Sequence, residues 1–290
     1  MSRHTIPMGR VLGIPLELDY SWFLVFALLT WALAVGHYPA EFKGWPASLY
    51  WIMGAVTAVM LFVSVVLHEL GHSLVARRYK IPVRRITLFI FGGVSQIEAE
   101  AATPGADFRI AVAGPLVSFA LAGLFTILQP AVAGVSPLLA LVRYLAYINL
   151  ALALFNLIPG FPLDGGRGLR AVVWGLTGDF HRATRIAASV GRGFAFVFIF
   201  VGVWQVFGGN FVGGLWIVFI GWFLESAAVA QTQQVVLQDL LTGHMVAEAM
   251  SRELTAVPAD VTLQQLVDQH ILTSGRRSFL VQRDQTVLAC

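Results

Sequence analysis

A chain of 290 residues with 57% hydrophobic and 12% charged side chains has half the charge of an ordinary soluble domain, which carries about 25%. Together with a mean hydropathy of +0.75, this excludes a disordered chain or a water-soluble globule and implies an all-α polytopic membrane protein. The formal charge of +3 does not point to nucleic acid, because the basic residues lie between apolar runs, and the one cysteine, Cys290, excludes a disulfide framework.

Arg3 and Arg10 precede the first apolar run, Tyr20–Val35. A cleaved secretory signal would begin similarly. Glu17 and Asp19 stand directly before the run, however, and five more runs follow, which favours a retained span. Those runs are Ala47–Val75, Ile110–Leu128, Leu138–Ile158, Ala187–Phe207 and Phe211–Val229, the last four near the roughly 20 residues a helix needs to cross a bilayer. Lys and Arg collect between Arg77 and Arg109 after the second run and between Arg167 and Arg192 after the fourth. The opposite loops have Lys43 as their one clear basic residue. Short basic loops stay in the cytoplasm, so the expectation is a multi-pass cell-membrane protein, prokaryotic in type, with both termini cytoplasmic.

Between the second and third runs, β-branched and aromatic residues flank Gly92-Gly93 in Arg85–Ile97. This predicts a membrane-associated β-hairpin; an amphipathic loop is the alternative. After residue 230 the chain turns polar. Extended stretches at Leu254–Val257, Ser278–Val281 and Thr286–Ala289, with a helix over Thr262–Leu272, suggest a small soluble α+β module. The domains expected are therefore residues 1–230 and 231–290.

The second run contains His68-Glu69-Leu-Gly-His72. Four helical steps return to nearly the same face, so the two imidazoles can share one Zn²⁺, and Glu69 can act as base on water that the metal activates. Ionisable groups inside an apolar helix cost a few kcal/mol each, which favours a functional site over core histidines. A catalytic zinc needs a third ligand. Acidic residues are scarce, and Asp164 stands at the end of the fourth run in Asn156-Leu-Ile-Pro-Gly-Phe-Pro-Leu-Asp164-Gly-Gly-Arg167. From the residues alone it serves equally well as that ligand or as the N-cap of a short helix through Leu169–Leu176. Asn149, in the same run, reads as a hydrogen bond between helices.

The two motifs together resemble the site-2 protease family of intramembrane metallopeptidases. The order also matches: zinc helix, hairpin, Ala113-Gly-Pro115 opening the next helix, then the Asn and Asp-Gly motif. The resemblance covers most of Ser2–Val229. It implies that His68, His72 and Asp164 bind Zn²⁺, that Glu69 is the catalytic base, and that Asn156 positions substrate. A transmembrane substrate has its peptide bonds shielded by helical hydrogen bonds, so the enzyme must hold it unwound. The hairpin edge near Phe89–Val94, with Phe91, Gly92 and Gly93 as contact residues, suits strand addition for that purpose. From Val246–Met250 to Cys290 the chain resembles the start of a CBS (cystathionine β-synthase-type) module, ending before its closing helix and without a second module. The partners implied are a single-span transmembrane substrate such as an anti-sigma factor, membrane lipid, an adenosine nucleotide where a CBS pair is complete, and a second copy in a homodimer. The competing reading is a membrane metal-ion transporter gated by the CBS-like module. Against it stands Glu69 beside a single set of ligands, where a transit path would have several.

Overall fold

The computed structural model describes residues 5–241, 245, 248, 256–272, 279–283 and 286–289. The chain divides into two units, Met1–Val236 and Leu237–Cys290.

The first unit begins with a hairpin, β1 (Thr5–Val11) and β2 (Ile14–Asp19), turned at Leu12-Gly13, where both residues have positive φ (52° and 79°). Helix α1 (Ser21–Glu41) has a π-helical stretch at Ala32–His37. Helix α2 (Ala47–Arg78) carries the histidine motif, and β3 (Val83–Phe89) and β4 (Gly92–Ile97) follow. The remaining helices are α3 (Pro104–Leu128), α4 (Ser136–Asn156), α5 (Asp164–Thr177), α6 (Phe180–Phe207) and α7 (Phe211–Leu241). All of these except α5 are long and apolar enough to cross a membrane, which makes six candidate spans among the described residues. The six expected runs each fall on one of them, with later or earlier ends where polar caps decide the helix. Thr103 accepts from Ala106 N ahead of α3, and Asp179 accepts from Arg182 N ahead of α6, so both helices start several residues before their apolar runs.

Apolar side chains cover the outside of these helices: Leu116, Ile127, Phe200, Trp204 and Phe207 are all exposed. In water such a surface would aggregate; against lipid tails it is the ordinary solvent boundary. Inside, small and hydroxyl residues among the buried apolar side chains bring helices close. A Cβ at Gly54 would stand 2.7 Å from the Thr30 carbonyl of α1, and one at Gly71 2.9 Å from the Ala113 carbonyl of α3. Asn149 donates to Ser64 Oγ at 3.1 Å, tying α4 to α2.

One expectation about strands, one about a turn and one about a helix start need correction. The hairpin around Gly92-Gly93 is present, but it belongs to a four-stranded sheet of order β1-β2-β3-β4. The N-terminal strands that complete it lie in a stretch whose alternation is broken by Gly9, Gly13 and Pro15, so no strand pattern stands out there. Parallel pairing of β2 with β3, Leu16 opposite Ile86, joins the hairpins, and Arg85 reinforces it with a 3.0 Å ion pair to Glu17. The turn falls at Ile90-Phe91, so Gly92 and Gly93 belong to β4, which is an edge strand of this sheet. Ala113-Gly-Pro115 lies inside α3, since Pro104 opens that helix.

In the second unit β5 (Ala256–Pro258) pairs parallel with β6 (Leu280–Arg283), and β6 antiparallel with β7 (Thr286–Ala289). A Thr262–Gln265 capping box opens a short helical stretch that turns π-helical over Leu266–Ile271. Leu254, Ser278, Cys290 and most of Val246–Met250 lie outside the described residues.

Gly54→Ala should lower the thermal midpoint of the detergent-solubilised protein, since the added methyl must push α1 from α2 at a cost of about 1–3 kcal/mol. An unchanged melting curve would mean that the two helices are not held at this spacing.

Candidate metal centre

On α2 the four-residue spacing puts the Nε2 atoms of His68 and His72 3.2 Å apart. Asp164 Oδ2 lies 3.0 Å from the first and 3.1 Å from the second. A tetrahedral zinc with bonds of about 2.0–2.1 Å holds its ligand atoms about 3.3 Å apart, so these three donors fit that ion closely. Among the described residues this is the one group of His, Cys, Asp and Glu that can hold a metal.

Each imidazole is oriented from behind. His72 Nδ1 donates to the Ile110 carbonyl at 2.6 Å, and His68 Nδ1 lies 2.9 Å from Ser118 Oγ; both partners are on α3. A proton on Nδ1 leaves the Nε2 lone pair for a metal. Gly114, midway between those partners, supplies the room. A Cβ there would overlap His72 Nε2 and stand 2.6 Å from His68 Nε2. The Ala113-Gly-Pro115 motif therefore gives space to the imidazoles rather than opening a helix.

Asp164 is the first residue of α5, and the cap position belongs to Leu163, which makes no side-chain capping bond. The cap alternative fails because the carboxylate points across to α2. Gly165 and Gly166 allow this: a Cβ on the first would run into the Leu157 and Ile158 carbonyls, and on the second into Gly160, so the loop from Asn156 folds tightly under the helix. Burial alone would raise the Asp164 carboxyl; His72 and His68 outweigh it and hold the group well below the usual carboxylate range.

A second cluster fixes α5 in place. Fully buried Asp107 of α3 receives two 2.8 Å bonds from Arg170 and a 3.1 Å bond from Arg167. Arg170 also pairs with Glu100 at 3.2 Å, and its guanidinium lies over the Phe161 and Phe180 rings. Nothing local in the sequence marks the Asp107–Arg170 or His68–Ser118 pairs, whose members lie 63 and 50 residues apart.

All of the expected site residues meet at one cavity of about 250 Å³. His68, Glu69, His72 and Asp164 form one wall; Phe91, Gly92 and Gly93 of the hairpin form another, with Asn156 beside them. Glu69 Oε2 accepts from Ser95 Oγ at 2.6 Å. Asn156 donates to the Leu152 carbonyl at 3.0 Å. Phe91 stacks on Phe223 of α7 with ring centres 3.7 Å apart. Asn149 is brought to Ser64 and stays away from this cavity, as a bond between helices.

Comparison with known proteins gives a consistent picture. The Peptidase family M50 profile matches residues 56–138 and 122–200. Rip3 of Mycobacterium tuberculosis, named as a zinc metalloprotease, is 40% identical over 289 residues, which are 98% of this chain and 73% of that protein. A Synechocystis protein also so named, sll0528, is 37% identical over 287 residues, covering 98% of this chain and 75% of its own length. Among solved structures, the site-2 protease from Methanocaldococcus jannaschii superposes with a TM-score of 0.55 at 30% identity, over 79% of this chain and 95% of that one.

Gly114→Ala should bring zinc content, read by atomic emission on the purified chain, from about one per molecule to a small fraction, with helix content by circular dichroism retained. Asp107→Ala should instead cost about 3–5 kcal/mol of stability, because it leaves buried Arg170 with the exposed Glu100 as its remaining carboxylate partner. Full zinc in the first variant, or wild-type melting in the second, would contradict the packing described.

Proposed function

The chain belongs to peptidase family M50, and from that premise we propose which residues carry its reaction and what it cuts. It is a multi-pass membrane zinc metallopeptidase of the site-2 protease type, a class that acts on membrane-bound substrates. In our reading His68, His72 and Asp164 hold the zinc and Glu69 is the catalytic base. The observation that carries this reading is the meeting of three donor atoms within 3.2 Å, with Glu69 beside them on the same cavity.

Bound zinc supplies polarisation of the scissile carbonyl and acidification of water. The chain's own part is proton handling and substrate geometry. Glu69, with Oε2 held by Ser95, takes a proton from water and returns it to the leaving amide nitrogen. Asn156 offers its amide oxygen to a substrate N–H. Phe91, Gly92 and Gly93 lie on the edge strand β4, where an extended segment can add as a further strand and keep its peptide bonds out of a helix. The substrate is then a single-span membrane protein, for instance an anti-sigma factor.

The orientation we favour has both termini in the cytoplasm, because the basic residues cluster after α2 and around α5. His68 precedes Val75, where the apolar run of α2 ends ahead of Arg77-Arg78, by 7 residues, about 10 Å along the axis, so cutting falls in the cytoplasmic half of the substrate's span. The strand–helix–strand–strand order of the second unit supports reading it as the start of a regulatory CBS module. A complete CBS pair would supply the adenosine-nucleotide site and a route to a homodimer.

Glu69→Gln should retain about one zinc per chain and lose cleavage of a co-expressed substrate by at least a hundredfold, since the amide cannot accept the proton. Cleavage near the wild-type rate would remove Glu69 from the base role. For topology, exposed Ala40 and Asp179 are changed singly to cysteine in a Cys290→Ser background. Ala40→Cys should react with an impermeant maleimide on intact cells and Asp179→Cys only after lysis; the reverse pattern would invert the orientation.

A further inference from the structure

Strand β4 presents its side chains alternately to its two faces, so Gly93 and Ser95 share one. That face is turned to Glu69. At Gly93 a Cβ would stand 2.8 Å from Glu69 Cγ and 3.0 Å from Val65 Cγ1, so the strand backbone lies directly on the stem of the glutamate. Two residues on, Ser95 Oγ is 2.6 Å from Glu69 Oε2 and 3.2 Å from the Glu69 carbonyl oxygen. The hydroxyl has one proton. The shorter, charge-assisted contact to the carboxylate takes it.

Behind Ser95 stands Ser73, fully buried and one helical turn after Glu69, whose Oγ donates to Ser95 Oγ at 3.2 Å. Ser73 thus fills one acceptor site on Ser95 and directs its proton toward the carboxylate. A glutamate has three side-chain torsions and, facing a cavity, would otherwise sample several rotamers. Here one oxygen is fixed by a hydroxyl and the stem by a glycine backbone, both from a strand that lies outside the helix bearing the glutamate. A serine that only anchored the hairpin to α2 would need nothing beyond its bond with Ser73.

We infer that Ser95 is a positioning residue for Glu69: its hydroxyl, backed by Ser73, holds the carboxylate in one orientation beside the cavity. Because β4 is an edge strand of the sheet, a segment that pairs onto it adds to the very strand that sets the base. Substrate docking and base alignment therefore share one element. This rests on the reading of Glu69 as the base.

The test is a steady-state comparison of full-length Ser95→Val and Ser95→Thr in detergent, with a fluorogenic peptide carrying a single apolar span. The two side chains have the same shape and differ in the hydroxyl. Ser95→Val should lower kcat roughly tenfold or more, with KM and zinc content within about twofold of wild type, whereas Ser95→Thr should stay within about threefold in kcat. Ser95→Ala serves as the smaller hydroxyl-free variant should valine not fit, and the same loss is expected. Equal kcat for valine and threonine, or a change confined to KM or zinc content, would overturn the role. A parallel Glu69→Gln arm separates the two readings: activity in Glu69→Gln removes the base and this inference with it. An inactive Glu69→Gln beside a fully active Ser95→Val removes the inference alone.

Discussion

Two imidazole nitrogens and a carboxylate oxygen held within 3.2 Å of one another repel unless a cation or a proton stands among them. Such a group inside an apolar bundle must therefore be imposed by its surroundings, and much of the first unit can be read as doing so. Helix α3 orients both imidazoles through Ile110 and Ser118 and yields their space at Gly114. The Asn156–Asp164 loop folds under α5 on Gly165 and Gly166, and Asp107 with Arg167 and Arg170 pins that helix to α3. Disturbing any of these shifts a donor atom by a fraction of an ångström, which for a metal site decides occupancy.

The bundle supplies depth, and the sheet supplies a surface that a helix cannot. Unwound backbone next to lipid is tolerated only where protein or an aqueous cavity covers it, and the hairpin meets that condition by closing one wall of the cavity beside Glu69. Its tip is held by Phe91 stacking on Phe223, its flank by the β2–β3 pairing, and its inner face by contact with Glu69. The same strand edge offers hydrogen bonds to an extended peptide. Some polar groups elsewhere in the spans pair between helices, as with Asn149 and Ser64 or Arg192 and Glu225, whose ion pair at 3.8 Å joins α6 to α7.

What the residues determined by themselves is what depends on short separations. Apolar runs of membrane length announce spans whatever they pack against, because lipid imposes the same demand on every helix. The four-residue spacing of His68 and His72 needs only helical periodicity to become half a metal site, and the β-branched and aromatic residues around Gly92-Gly93 announce a hairpin. Asp164 was a different matter. Its neighbours allow a cap as readily as a ligand, and only the family resemblance favoured the ligand. Tertiary structure alone set the roles that depend on distant partners: Asp164 meets His68 across 96 positions, Ser118 meets His68 across 50, and Arg85 meets Glu17 across 68. The parallel joining of β2 to β3, the room left at Gly114 and the grip of Ser95 on Glu69 are of the same kind. Such contacts depend on where separate elements come to rest when they pack, and a carboxylate, a glycine or a serine looks locally the same whether or not an imidazole or a glutamate arrives beside it.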